Sequence, residues 1–274
     1  MKKNWFVTGA SRGFGRVFAE SALSRGDRVA ATARDVDDLA DLVGRYGDKV
    51  LPLALDVTEK AAVTESVDRS VDHFGRLDVI VNNAGYGLFG MVEELSEKDV
   101  RAQMEVNVFG PLWVTQAALP HLRRQRAGHI VQISSFNGIA TFPMMGAYSA
   151  SKWALEALSD SLAQEVAGFG IKVTLVEPAQ YSTDFGGSSA AHSTSIDAYD
   201  GVRASFFEAL GKVKSIDPKY VGPALLKITD VENPPLRVIF GRFAFHGAQD
   251  IYAERVKGWN EWSHLSDETD GPSA

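Results

Sequence analysis

The segment that decides the fold is TGASRGFG, Thr8–Gly15, which follows the apolar run Trp5 to Thr8 (WFVT) and opens a helix. Glycines at 9, 13 and 15 let the backbone turn tightly and approach a pyrophosphate, while the helix behind them offers unpaired N–H groups and its positive dipole end. The spacing Gly-x-x-x-Gly-x-Gly departs from the commoner Gly-x-Gly-x-x-Gly, and in isolation a glycine-rich turn is equally a plain route from strand to helix. Its position gives it meaning: it stands at the head of a long alternation of strands and helices, where open parallel sheets hold their cofactors. On that ground Gly9, Ser11, Arg12, Gly13, Phe14 and Gly15 are read as a dinucleotide cradle.

Six further β-prone runs follow, Arg28 to Ala33, Val50 to Leu55, Val79 to Val81, His129 to Ser134, Lys172 to Glu177 and Arg237 to Phe240. Between them lie roughly six helical stretches such as Ala61 to Phe74 (AAVTESVDRSVDHF), whose apolar residues recur three and four apart. This alternation predicts a Rossmann-like, doubly wound α/β fold, a seven-stranded parallel sheet in a three-layer α/β/α sandwich. With 274 residues and 45% hydrophobic content, one domain over 1–274 is expected, its cofactor half at 1–135 and its catalytic and substrate half at 136–274. The latter includes a variable loop at 180–215 and a C-terminal extension at 243–274. Gly186 to Ser195 (GGSSAAHSTS) reads as a mobile loop, and Phe243 to Leu265, with Trp259 and Trp262, as a helix that covers the pocket or forms a subunit contact.

Composition closes several routes. The chain has no cysteine, which excludes disulfides, thiolate metal sites and cysteine nucleophiles. A net charge of −7 argues against a nucleic-acid partner, and the basic run His121 to Arg126 (HLRRQR) reads as the solvated end of a helix. No apolar run is long enough to span a bilayer, so no membrane partner and a cytoplasmic location are expected. His73, His121, His129, His192, His246 and His264 show no ligand spacing, and no catalytic metal is expected.

The end of the second predicted strand speaks to the choice of dinucleotide. An acid there would bind the ribose hydroxyls of NAD, but this chain places Ala33 and Arg34 there, Arg34 lying 19 residues after Gly15. A guanidinium at that place suits a 2′-phosphate, and Arg12 adds a second positive charge, so NADP is favoured over NAD. Asp35 works against this, since a small shift of the strand end would present its carboxylate instead. Further on, Tyr148 to Lys152 (YSASK) sets a tyrosine and a lysine four apart on one helical face, with Ser135 thirteen residues earlier at the end of the fifth predicted strand.

Together these motifs resemble the short-chain dehydrogenases/reductases over most of residues 5–185. TGASRGFG resembles that family's cofactor turn, and Asp56 in LDVT, with Val57, its adenine-contacting segment. NNAG at Asn82 to Gly85 resembles the segment that steadies the central sheet, placing Asn83, Ala84 and Gly85 beside the cofactor. Asn107 in EVNVFG resembles the catalytic asparagine and, with Ser135, Tyr148 and Lys152, completes the family's tetrad. Tyr148 and Lys152 would also contact the cofactor, as would Pro178 and Thr183. Pro178-Ala179 departs from the Pro-Gly of many relatives, which leaves those last contacts less supported. The resemblance further implies association as a homodimer or homotetramer.

The implied chemistry is NADPH-dependent reduction of a ketone or aldehyde, reversible as alcohol oxidation. Tyr148 would give the proton, Lys152 would lower the phenol's proton affinity, Ser135 would hold the substrate oxygen and Asn107 would support a water chain. Phe136, Phe142, Met144, Met145, Tyr181 and Phe185 are candidate pocket walls and point to an apolar or aromatic carbonyl compound, though such clusters are as often plain core. Enoyl reductases of similar fold separate tyrosine and lysine by seven positions, where this chain has Leu155, and the length leaves no room for an epimerase substrate domain. The remaining alternative is a non-catalytic NADP-binding sensor or scaffold, against which the intact Ser135, Tyr148 and Lys152 weigh.

Overall fold

The computed structural model describes residues 2–187 and 189–271. In chain order the strands are β1 (Asn4–Val7), β2 (Arg28–Ala33), β3 (Val50–Ala54), β4 (Val79–Asn82), β5 (Leu88–Phe89), β6 (Gly128–Ile133), β7 (Ile171–Pro178), β8 (Ala191–His192) and β9 (Arg237–Phe240). The helices are α1 (Gly13–Arg25), α2 (Ala40–Tyr46), α3 (Lys60–Phe74), α4 (Glu97–Met104), α5 (Gly110–Gln125), α6 (Gly146–Val166), α7 (Asp200–Lys212), α8 (Val221–Asp230), α9 (Arg242–Glu261) and α10 (Ser263–Thr269).

Seven strands form one sheet in the order β3-β2-β1-β4-β6-β7-β9, every pairing parallel. The alternation of side chains along β1 explains why helices cover both faces. Trp5 and Val7 point to one side, where they pack with Phe18 and Leu23 of α1 and Leu225 of α8. Phe6 points to the other, with Val67 of α3, Val114 and Leu122 of α5 and Leu162 of α6. Strand order reverses between β1 and β4, which opens a crevice at their carboxyl ends. The glycine turn leaves β1 at that crevice, and the NNAG segment leaves β4.

All seven expected sheet strands form, with ends displaced by a residue or two; β7 begins at Ile171 and runs through Pro178. Among the described residues ten helices form where roughly six were expected, and α2, α4 and α10, each of seven or eight residues, are too short to show a periodic apolar stripe. HLRRQR closes α5, with Arg123, Arg124 and Arg126 exposed and Arg126 left-handed at φ 51°.

The glycine- and serine-rich stretch after Gly186 is corrected in part. Leu88 and Phe89 pair in parallel with Ala191 and His192, and the N–H groups of Ala191 and Ser193 donate to the carbonyls of Gly87 and Phe89 at 2.9 Å, which ties residues 191–193 to the loop after β4. Ser188 lies outside the described residues. The expected C-terminal helix breaks at Trp262, between α9 and α10. Ala244 and Ala248 of α9 are buried over Phe136, Ile139 and Ala140, while Trp259 and Trp262 are exposed. Among the described residues no helix is long and apolar enough to cross a membrane, and no group of His, Asp or Glu is placed to hold a metal.

Candidate active site

Packing dictates the glycine turn. Gly9 and Gly13 have φ of 64° and 56°, in the left-handed region that favours glycine. A Cβ on Gly15 would lie 2.2 Å from the Gly9 carbonyl oxygen and 2.5 Å from Asn83 Nδ2, so α1 starts against the end of β1 with no space for a side chain. Thr8 holds the next segment in place: its hydroxyl accepts from the backbone N–H of Asn83 at 2.9 Å and of Ala84 at 3.0 Å. Asn83 in turn donates its amide to the carbonyls of Thr8 (2.9 Å) and Gly9 (3.1 Å). Sequence reasoning gave Thr8 no separate role, and its partners lie 75 and 76 residues away, beyond any local signal. No side chain caps the N-terminus of α1 and its first turn holds no acid, which leaves the dipole end suited to an anion. Ser11 and Phe14 are half-buried in the turn.

The other residues expected at the cofactor are placed around that turn as follows. Arg34 is exposed at the end of β2 and Arg12 is exposed at the start of α1, 3.9 Å from Asp184. Asp35 turns its carboxylate onto the Asp37 N–H at 3.0 Å, capping a short helical turn at Val36–Leu39. That cap draws one oxygen of Asp35 onto the backbone of the turn. Asp56 accepts from both the N–H and the hydroxyl of Thr58, and Val57 is buried against Gly110. Thr183 lies across the crevice, its Cβ 4.0 Å from where a Cβ on Gly13 would be, and Pro178 ends β7 beside Phe240.

The four proposed tetrad residues come together at the carboxyl edge of the sheet. Ser135 follows β6 and accepts from the Asn137 N–H at 3.0 Å. Tyr148 and Lys152 occupy the first two turns of α6, with the lysine Nζ 5.8 Å from the tyrosine ring centroid and donating to the Ile133 carbonyl at 2.8 Å. Asn107 sits in a π-helical turn, Glu105–Phe109, between α4 and α5. Such a widened turn is found often at functional sites because it re-aims a side chain without ending the helix. Asn107 is fully buried; it donates to the Tyr86 carbonyl (3.0 Å) and to Ser151 Oγ (3.1 Å), and accepts from the Tyr86 N–H (3.1 Å). Ser151, which sequence reasoning passed over, donates to the Tyr148 carbonyl at 2.7 Å and so joins Asn107 to α6. A Cβ on Gly85 would lie 3.1 Å from Asn107 Oδ1 and 3.7 Å from Lys152 Nζ, so Gly85 keeps open the place where the two approach.

Burial dominates the electrostatics of the Tyr148 and Lys152 pair. Burial pushes the Tyr148 phenol above its ordinary value, with the Ser135 hydroxyl beside it working the other way. Burial penalises the charged forms of both the phenol and the lysine. Desolvation lowers the lysine itself to about 8, against the opposing charge of Glu156.

The candidate pocket residues divide between three places. Phe142, Met144, Met145 and Phe185 cluster with Tyr148, Phe89 and Met91, and the Phe185 ring lies 5.0 Å from that of Tyr148. Phe136 packs beneath Ala244 and Ala248 of α9 and meets the Tyr148 cluster through Phe142, 5.7 Å away ring to ring, while Tyr181 sets its edge against Phe14 at 5.0 Å. One feature the sequence concealed closes the cluster from outside. The buried Glu94 carboxylate accepts from the N–H groups of Met91 and Ile196 and from Arg203, holding α7 against the loop after β5.

Comparison with known proteins agrees with this geometry. Residues 3–194 match the family model described as short chain dehydrogenase. "Oxidoreductase BOA17" of Botryotinia fuckeliana is 41% identical over 274 residues, spanning 97% of this chain and 100% of that protein. The crystal structure of a short-chain dehydrogenase from Streptomyces avermitilis superposes with a TM-score of 0.92 at 40% identity, covering 98% of both chains. A short chain dehydrogenase from Burkholderia cenocepacia J2315 in complex with NADP superposes with a TM-score of 0.75 at 27% identity, covering 95% of this chain and 97% of that one. On fold, site geometry and likeness together, the chain belongs to the short-chain dehydrogenase family and is an NAD(P)-dependent oxidoreductase.

Proposed function

We propose that the chain reduces a ketone or aldehyde on an apolar or aromatic substrate, with NADPH as the preferred cofactor. The observation that carries this reading is the meeting of Ser135, Tyr148, Lys152 and Asn107 at the crevice into which the glycine turn opens. The residues present fit a dinucleotide: the uncapped, acid-free N-terminus of α1 suits a pyrophosphate, and Arg12 and Arg34 suit a 2′-phosphate. Preference for NADPH is further supported by the NADP complex of the Burkholderia cenocepacia relative.

A bound nicotinamide supplies the hydride, and the chain's own groups manage the carbonyl oxygen. Ser135 donates a hydrogen bond to that oxygen and holds it near the phenol. Tyr148 gives up its proton as the oxygen becomes an alkoxide. Burial keeps the phenol protonated, the form in which it donates. The ammonium of Lys152, anchored on the Ile133 carbonyl, compensates the phenolate left behind, and Asn107 keeps the loop at Tyr86 and the start of α6 in register.

Substitution of Tyr148 by Phe tests this directly. NADPH binding stays within about threefold while kcat falls by about 10²–10⁴, the usual worth of a positioned general acid. Turnover near the wild-type rate on a panel of ketones and aldehydes would remove Tyr148 from the reaction.

A further inference from the structure

One turn beyond Lys152 on α6, Glu156 lies buried against Glu177 near the end of β7, and both converge on one arginine. Arg237 Nε is 3.1 Å from Glu156 Oε2 and 3.7 Å from Glu177 Oε1, and its Nη2 is 3.1 Å from Asp160 Oδ2. One guanidinium already shared with Asp160 cannot neutralise two further buried carboxylates. Among the described residues Ser134 Oγ, Glu156 Oε1 and Glu177 Oε1 are buried without a hydrogen-bond partner. Ser134 Oγ and Glu156 Oε1 lie 2.6 and 3.0 Å from where a Cβ on Gly138 would be, so these two oxygens are neighbours. A proton shared by the two carboxyls would give these oxygens a partner, and the rotatable Ser134 hydroxyl can donate to Glu156.

We propose that Glu156 and Glu177 share one proton, and that the negative charge remaining on Glu156 keeps Lys152 protonated, which makes Glu156 a positioning residue for the reaction proposed above. This rests on that reading of Lys152. The groups facing the pair are Lys152 and Asp160 on α6, Ser134 after β6, Glu177 on β7 and Arg237 on β9; Arg255 of α9 is turned onto the Ile139 carbonyl. Arg237 Nε donates to Glu156 at 3.1 Å and lies farther from Glu177, at 3.7 Å, which favours the charge on Glu156 and the proton on Glu177; burial and then the charge of Glu156 raise Glu177 in the same sense. Burial raises Glu156 too, with Arg237 pulling it back, and the charge of Glu156 favours the Lys152 ammonium against desolvation.

Two readouts in the full-length protein test this: the titration of the Lys152 Cε resonance by carbon NMR, identified by its loss in Lys152→Arg, and the pH profile of kcat/KM for reduction. In Glu156→Gln the lysine midpoint moves about one pH unit acidward, and the alkaline fall of kcat/KM moves with it. In Glu177→Gln, where Glu156 is fully ionised, the midpoint stays or moves to higher pH. Opposite behaviour of the two variants is what a merely structural pair would not produce. Should Glu156→Gln not fold, Glu156→Asp gives a smaller acidward shift. No shift in any variant, or equal acidward shifts in the variants at 156 and 177, overturns the proposal. A shifted lysine titration with an unmoved pH–rate profile upholds the charge coupling and removes Lys152 from the proposed reaction.

Discussion

Replacing Gly15 by Ala is the most direct probe of the contact that holds the crevice open. The added Cβ would sit 2.2 Å from the Gly9 carbonyl oxygen, 2.5 Å from Asn83 Nδ2 and 2.9 Å from the Gly9 carbonyl carbon. Two of these are backbone atoms, so the clash cannot be relieved by a rotamer change, and α1 must withdraw from the end of β1 by about 1 Å to restore ordinary contact. Overpacking of this kind costs about 1–3 kcal/mol, and losing one of the Asn83 hydrogen bonds adds about 1 kcal/mol. A total of about 2–4 kcal/mol lowers Tm by roughly 4–16 °C for a chain of this size. The same withdrawal displaces the N–H groups at the start of α1, so the Kd for NADPH rises at least about tenfold. Gly44→Ala is the control: nothing lies within 4 Å of its added Cβ and its φ is ordinary, so α2 gains about 0.4–1 kcal/mol from the stiffer unfolded chain. Urea unfolding followed by circular dichroism, with NADPH binding read by fluorescence, checks both variants. If Gly15→Ala matches the wild type within about 0.5 kcal/mol and binds NADPH as tightly, the packing argument is wrong.

Other consequences follow from single contacts. Arg34→Asp removes the exposed guanidinium at the end of β2 and adds repulsion, so the ratio of kcat/KM for NADPH over NADH falls by about tenfold or more; an unchanged ratio places the phosphate contact elsewhere. His129 is held neutral, lowered by burial to about 4, and its Nε2 lies 2.9 Å from Thr174 Oγ1. Because Thr174 donates to the Pro235 carbonyl, the imidazole must donate from Nε2. The unfolded chain takes up that proton at about 6.5 and the folded chain does not, so the stability His129 contributes is lost as pH falls from about 6.5 to 4. The Tm advantage of wild type over His129→Gln therefore shrinks across that window in scanning calorimetry, and a constant difference would refute it. Glu94, held down to about 2 chiefly by Arg203, works lower still: its contribution is present above the ordinary carboxylate value of 4.5 and lost as pH falls toward 2, so Glu94→Gln flattens that part of the acid unfolding curve. Arg126, left-handed and exposed at the end of α5, accepts Gly with a gain of about 1 kcal/mol in urea unfolding, since a non-glycine residue pays for that conformation.

The sheet was legible because its signal is local. Each buried parallel strand needs apolar residues on both faces, which made Trp5 to Val7, Ala30 to Ala33 and Ile130 to Ile133 plain in the sequence. The glycine turn was legible for a similar reason: positive φ at Gly9 and Gly13, and a Gly15 with no space for a Cβ, admit few other residues. Tyr148 and Lys152 were legible as a pair because helical geometry alone puts positions four apart on one face. How Phe136 and Tyr181 pack could not be read from the sequence, because an aromatic residue looks the same there whether it lines a cavity or packs under a helix.

By itself, then, the sequence determined the alternation of elements, the order of the sheet's chemistry-bearing turns and the identity of the groups they carry, all properties that depend on neighbours a few residues away. Only tertiary structure decided that Asp35 caps a short helical turn, that Asn107 is aimed by a π-helical turn onto Tyr86 and Ser151, and that burial raises the Tyr148 phenol. The meeting of Glu156, Glu177 and Arg237 is of the same kind. Proton affinity and side-chain aim depend on what surrounds a group in space, and those surroundings are assembled from segments tens of residues apart.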